Sequence, residues 1–95
     1  MHRVRDRWGN TIELTDERWR HIVTWHPDLA DCVDEVLTTV KLGRRRQDAV
    51  EPTKYRYYRR ADGLLPDYSH IVVIIKLADR SFVLTAYPAL IRGKG

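Results

Sequence analysis

The sequence predicts an α+β protein in which an N-terminal hairpin and two helices pack on one face of a roughly four-stranded antiparallel sheet. Three observations carry this expectation. Apolar residues between Thr15 and Val40 recur at helical spacing. After Gly43 the period changes from 3.6 to 2. Asp62-Gly63, Pro66-Asp67 and Asp79-Arg80 then divide the second half into strand-length pieces. Helices before a run of strands place this chain among α+β folds. Its 95 residues suit one domain with one modest core.

Taken in order, residues 1–14 read as a hairpin turning at Gly9-Asn10. Thr15 is a favourable N-cap, with Asp16 and Glu17 in the first turn where carboxylates suit the helix dipole. The first helix is expected to run to about Trp25, with Trp19, Ile22, Val23 and His26 on one face. Pro27 stops it and can open the next helix as its first residue. Leu29, Val33, Val36, Leu37 and Val40 continue at helical spacing, and Gly43 is a stop signal. The helical part is thus 15–42 and the sheet 43–88, followed by an 89–95 tail. The expected strands are Arg44–Ala49, Lys54–Arg60, Tyr68–Leu77 and Ser81–Tyr87.

Alternation assigns the faces. Ile71, Val73, Ile75 and Leu77 point toward the helices, and Phe82, Leu84 and Ala86 are expected to join them. His70, Val72, Ile74 and Lys76 then share the open face with Ser81, Val83, Thr85 and Tyr87. On KYRYYRR, Tyr55 and Tyr57 make better core than Lys54, Arg56, Tyr58 and Arg60.

Composition narrows the function. The formal charge is +4, with thirteen arginines and four lysines. Arginine presents a planar fork of donors that matches phosphate, so a polyanion such as nucleic acid is the partner this balance favours. The longest apolar run, Ile71–Ile75, is too short to span a bilayer. MHRVRDRWGN has no apolar h-region, so no signal peptide and a cytoplasmic location are expected. Cys32 alone allows no internal disulfide and is expected to be a small buried residue. No phosphate loop, nucleotide fingerprint, nucleophile elbow or cysteine–histidine pattern is present. His21 and His26 are five apart, not the four of a helical zinc pair, so no metal and no cofactor is expected. Two histidines within six residues are instead candidates for general acid and base.

The stretch RWRHIVTWHPDL, residues 18–29, together with LTAYP, residues 84–88, resembles small phage- and toxin-associated nucleases of the barnase–EndoU–colicin–RelE superfamily. The order of helices before an antiparallel meander agrees with that group. The chain departs from it at Lys41-Leu42-Gly43, where members often carry Pro-Asp. The resemblance implies metal-independent cleavage of RNA by its own 2′-hydroxyl, giving 2′,3′-cyclic phosphate and 5′-hydroxyl ends. It implies His21 as the principal acid–base residue, His26 as the second or as its support, and Thr85 and Tyr87 with an Arg or Lys as donors to the phosphorane; Arg46 is taken as that cation because at least one of Arg44, Arg45 and Arg46 is expected on the open face. Arg20, Arg44, Arg45, Tyr58, Arg60 and Lys76 are the expected substrate-binding residues. The expected partners are RNA and, for a toxin, an immunity or antitoxin protein. Two other classes fit the same residues: a nucleic-acid-binding module without catalysis, and a protein-binding domain using Val72, Ile74 and Val83 on the open face.

Overall fold

The computed structural model describes residues 1–91. In chain order the elements are β1 (His2–Arg5), β2 (Thr11–Leu14), α1 (Asp16–Trp25), a 3-10 turn (Pro27–Leu29), α2 (Val33–Leu42), β3 (Arg44–Gln47), β4 (Lys54–Arg60), β5 (His70–Lys76) and β6 (Ser81–Ala89). The α+β class and the order of elements agree with the sequence reading. The sheet does not: it is six-stranded and mixed, in the order β1-β2-β6-β5-β4-β3. The last four strands form the expected antiparallel meander. The N-terminal hairpin is not separate from it, because β2 pairs parallel with β6, Ile12 with Ser81 and Glu13 with Phe82. The helices carry the chain from β2 to the opposite edge at β3.

Local signals explain the helices. Thr15 Oγ1 accepts from the Arg18 N–H at 3.1 Å, the expected N-cap bond. α1 ends at Trp25, since Pro27 cannot continue it, and the chain makes a 3-10 turn before α2 begins. Gly43 follows α2, but not as a left-handed cap. Its φ is −70°, and a Cβ there would lie 2.3 Å from the Thr39 carbonyl oxygen and 2.8 Å from that of Tyr58. Glycine is required by close approach of helix end and strand, not by dihedral angle.

The core gathers Ile22 of α1, Leu29, Cys32, and Val36 and Val40 of α2 against Ile12, Leu14, Tyr57, Ile71, Val73, Ile75, Val83 and Ala86 of the sheet. The KYRYYRR strand divides as expected, with Tyr57 wholly buried. β6 differs from expectation. The register slips so that Ile74 faces Thr85 while Ile75 faces Val83, leaving Leu84 as an extra residue. This bulge turns Val83 into the core, where 2% of it is exposed, and puts Phe82 opposite Lys76. Val83 is therefore not an open-face residue.

A second feature is the reach of the hairpin. Asp6, just after β1, bonds the Tyr57 hydroxyl on β4. Three strands separate β1 from β4 in the sheet, and a flat sheet would hold them roughly 19 Å apart. The sheet therefore curls, and the hairpin tip closes over its helix side. The Asp6 carboxylate also accepts from the Trp8 and Asn10 N–H groups and from the Asn10 side chain. Burial pushes the Asp6 carboxyl up, but the bonds from Tyr57, Asn10 and Trp8 outweigh it, and the net direction is down. Burial first, and then the Asp6 carboxylate, push the Tyr57 phenol well above its usual value.

Candidate functional site

Cross-strand register builds the open face row by row. Arg44, Tyr58, Val72 and Tyr87 stand opposite one another across β3, β4, β5 and β6. One step along, Arg46, Arg56, Ile74 and Thr85 form the next row. Lys54, Lys76 and Phe82 lie beyond it, and Arg60, His70 and Ala89 lie on the other side. Thr85 and Tyr87 thus share a face, as their spacing predicts. Val72 shares that face yet is only 2% exposed, sitting between Tyr58 and Tyr87. Burial on both sides explains the continuous apolar run of β5.

The charges on this face differ in their commitments. Arg60 pairs with Asp62 at 2.6 Å, and Lys76 with Glu51 at 3.7 Å. At the β2 margin, Glu13 takes both Arg3 at 3.0 Å and Arg80 at 2.9 Å. Arg80 and then Arg3 hold the Glu13 carboxyl below its usual value. Arg44, Arg46 and Arg56 have no carboxylate partner among the described residues. An open groove between β3 and β4, lined by Arg46, Lys54, Arg56 and Ile74, adjoins the Thr85 row.

α1 completes one margin. The β2–β6 pairing ends at Phe82, so the rest of β6 has no strand on that side. The chain leaves β2 and runs on as α1, whose ten residues span about 15 Å, similar to the distance from Val83 to Tyr87 along a strand. At its end the His26 ring lies 6.2 Å from the Tyr87 ring, tilted by 40°. The backbone of His26 caps the helix, its N–H bonding the Ile22 carbonyl. Its side chain makes no hydrogen bond among the described residues, nor do those of Thr85 and Tyr87. These groups are free to serve a ligand.

Other expected site residues lie elsewhere. His21 is on the exposed face of α1, its ring 6.4 Å from that of Trp25, which is 71% exposed. It borders a shallow hollow with Thr15, Glu17 and Arg18, so the structure does not bring it to Tyr87. Arg20 is exposed on the same helix. Arg45 pairs by register with Tyr57, on the helix side of the sheet. Its guanidinium lies 3.9 Å from the Trp8 ring and 4.7 Å from the Tyr55 ring, and its Nη1 donates to the Tyr57 hydroxyl at 3.3 Å. It is bound to the hairpin tip by cation–π contact and is not on the open face. Arg56 and His70 were not among the expected site residues, although alternation places both on this face. Among the described residues no group of three His, Cys, Asp or Glu is gathered as for a metal ion, and no helix is long and apolar enough to cross a membrane.

Comparison with family models, with curated proteins and with solved structures gave no match.

Proposed function

We propose that the chain is a metal-independent endoribonuclease acting on RNA at the margin of its arginine-rich sheet face. The observation that carries this reading is the meeting of His26 with Tyr87 on the sheet face that also holds Thr85, Arg44, Arg46 and Arg56; among the described residues none of these side chains has a hydrogen-bond partner or counter-charge. Cations for the phosphate backbone, rings for unstacked bases and a free imidazole are the parts such a reaction needs.

In the proposed reaction His26 removes the 2′-hydroxyl proton. The 2′-oxygen attacks the adjacent phosphorus, the bond to the 5′-oxygen breaks, and Tyr87 protonates that leaving oxygen. The products are a 2′,3′-cyclic phosphate and a 5′-hydroxyl. The phosphorane between these steps carries extra negative charge, and Thr85 Oγ1 with Arg56, two strands away, donates to it, while Arg46 on β3 is left to a neighbouring phosphate. One preorganised donor of this kind is worth about 3 kcal/mol. This assignment moves the principal acid–base role from His21 to His26, because only His26 touches Tyr87. An immunity or antitoxin protein, and action on cytoplasmic RNA, belong to the toxin form of the same proposal.

A binding module without catalysis is the second reading. The position of His21 favours it, since only His26 of the two expected histidines meets Tyr87. Analysis of fragment ends separates the two. Wild-type protein with a mixed RNA pool in EDTA is expected to leave cyclic phosphate ends. His26→Ala is expected to lose about two orders of magnitude in rate, while His21→Ala stays near wild type. Binding without fragments from the wild type would establish the second reading.

A further inference from the structure

A groove of about 290 Å³ opens where β3 begins, between the end of α2 and β4. Arg7, Arg44, Arg59 and Arg60 line it, with Tyr58 and His70. Four guanidinium groups around one groove repel one another. Among the described residues the one carboxylate within ion-pair distance of any of them is Asp62, on Arg60. Arg7 lies over the Trp8 ring at 5.8 Å. The groove therefore holds an excess of positive charge that the protein does not neutralise.

His70 gives the groove a directed donor. The residue is 3% exposed, and its Nδ1 lies 2.6 Å from Ser69 Oγ. That oxygen accepts from the Ile91 N–H at 3.0 Å, while its contacts to the Ala89 and Ile91 carbonyls are long, at 3.4 Å. With the hydroxyl proton on this short contact, Ser69 donates to Nδ1 and the neutral ring carries its own proton on Nε2. Burial, and next the Arg60 charge, hold the His70 pKa below its usual value, which keeps the ring neutral at pH 7. Nε2 has no hydrogen-bond partner among the described residues, and His70 lines the groove.

We propose that this groove is a binding site for a phosphate group, held by Arg44, Arg59 and Arg60 with the His70 Nε2–H and the Tyr58 hydroxyl as further donors. It is distinct from the Thr85–Tyr87 position. Arg44 and Tyr87 are three strands apart, about 14 Å at the usual strand spacing, so one phosphate does not serve both. The phosphate is either a diester of a bound strand or a phosphate monoester, which present the same oxygens. Only the first source rests on the proposed RNA substrate.

The test follows the His70 ring nitrogens by NMR between about pH 6 and 8, where imidazoles titrate. Sodium phosphate is added against sodium chloride of equal ionic strength. A short oligodeoxynucleotide is added separately; it offers diesters but has no 2′-hydroxyl to be cut by. The expected result is a saturable shift of Nε2 that chloride does not produce, with a rise in the His70 pKa, since a bound anion stabilises imidazolium. Arg59→Ala and Arg60→Ala, both at exposed positions, are each expected to weaken the response about tenfold. Arg80→Ala, remote from the groove and paired with Glu13, is expected to leave it unchanged. A response to inorganic phosphate identifies a monoester site. A response to the oligodeoxynucleotide alone identifies a diester site. No shift with either probe, the same shift with chloride, or indifference to both arginine variants would overturn the proposal. Neither probe is cleavable by 2′-hydroxyl attack, so the result stands whether or not RNA is cut.

Discussion

Tyr57 is wholly buried and carries a hydroxyl, and a buried hydroxyl without a partner is strongly destabilising. Asp6 is that partner, and its own side chain is completely buried too. Tyr57→Phe leaves Asp6 with its amide bonds and a distant Arg45 at 3.8 Å. The expected loss is about 2 kcal/mol in the free energy of unfolding, measured by urea denaturation. The same pair sets an acid limit. The folded pKa of Asp6 is depressed, so its contribution is fully present above the unfolded value of about 3.9 and is lost as pH falls through the folded value. Wild-type stability is therefore expected to fall more steeply between about pH 5 and pH 2 than that of Asp6→Asn, which starts lower and varies less. Parallel curves would contradict this role for Asp6. Gly43 makes a different demand, for space rather than for a special dihedral. Gly43→Ala drives a Cβ into the Thr39 and Tyr58 carbonyls and is expected to destabilise by about 3 kcal/mol in thermal unfolding, the upper range for overpacking.

At the scale of elements, α1 and β6 depend on each other. β2 covers only the start of β6, and the helix occupies the edge that remains. Much of this region was legible in the sequence. Thr15, the apolar stripe and Pro27 marked α1 correctly, and alternation chose the buried tyrosine of β4. The stripe also placed His26, not His21, beside Ile22. Five residues on a helix turn through about 140° beyond one full revolution, so the two histidines cannot face β6 together. The parallel pairing was not legible, because it joins Ile12–Glu13 to Ser81–Phe82 and no local pattern reports so distant a contact. The bulge at Leu84 was hidden because Phe82 to Tyr87 alternates without a break. Arg45 misled for a related reason. Its register points it inward, and the rings and carboxylate that make an inward arginine tolerable come from the hairpin tip.

For the whole molecule, the informative quantity is where positive charge remains uncompensated rather than its sum. Arg3 and Arg80 are taken up by Glu13, and Arg45 by the Asp6 cluster. Arg44, Arg46 and Arg56, in adjacent rows of one face, have no carboxylate partner among the described residues. Binding of single-stranded nucleic acid is therefore expected to weaken with salt, each phosphate contact adding about 0.7 to the slope of log K against log salt. Replacing all three arginines with alanine is expected to lower that slope by about 2, while Arg80→Ala leaves it unchanged. Fluorescence anisotropy with an oligodeoxynucleotide across a potassium chloride series checks this. An unchanged slope in the triple variant would remove the sheet face as the interface.

The proposed reaction depends on attack by the RNA's own 2′-hydroxyl. Its most direct test is a matched pair of oligoribonucleotides in EDTA, one all-ribose and one with a single 2′-deoxy residue at the position cleaved in the first. Cleavage of the all-ribose strand is expected, with no cleavage at the deoxy linkage and unchanged cleavage at other sites. Cutting at the deoxy linkage, or no cutting of either strand at any protein concentration, would contradict it.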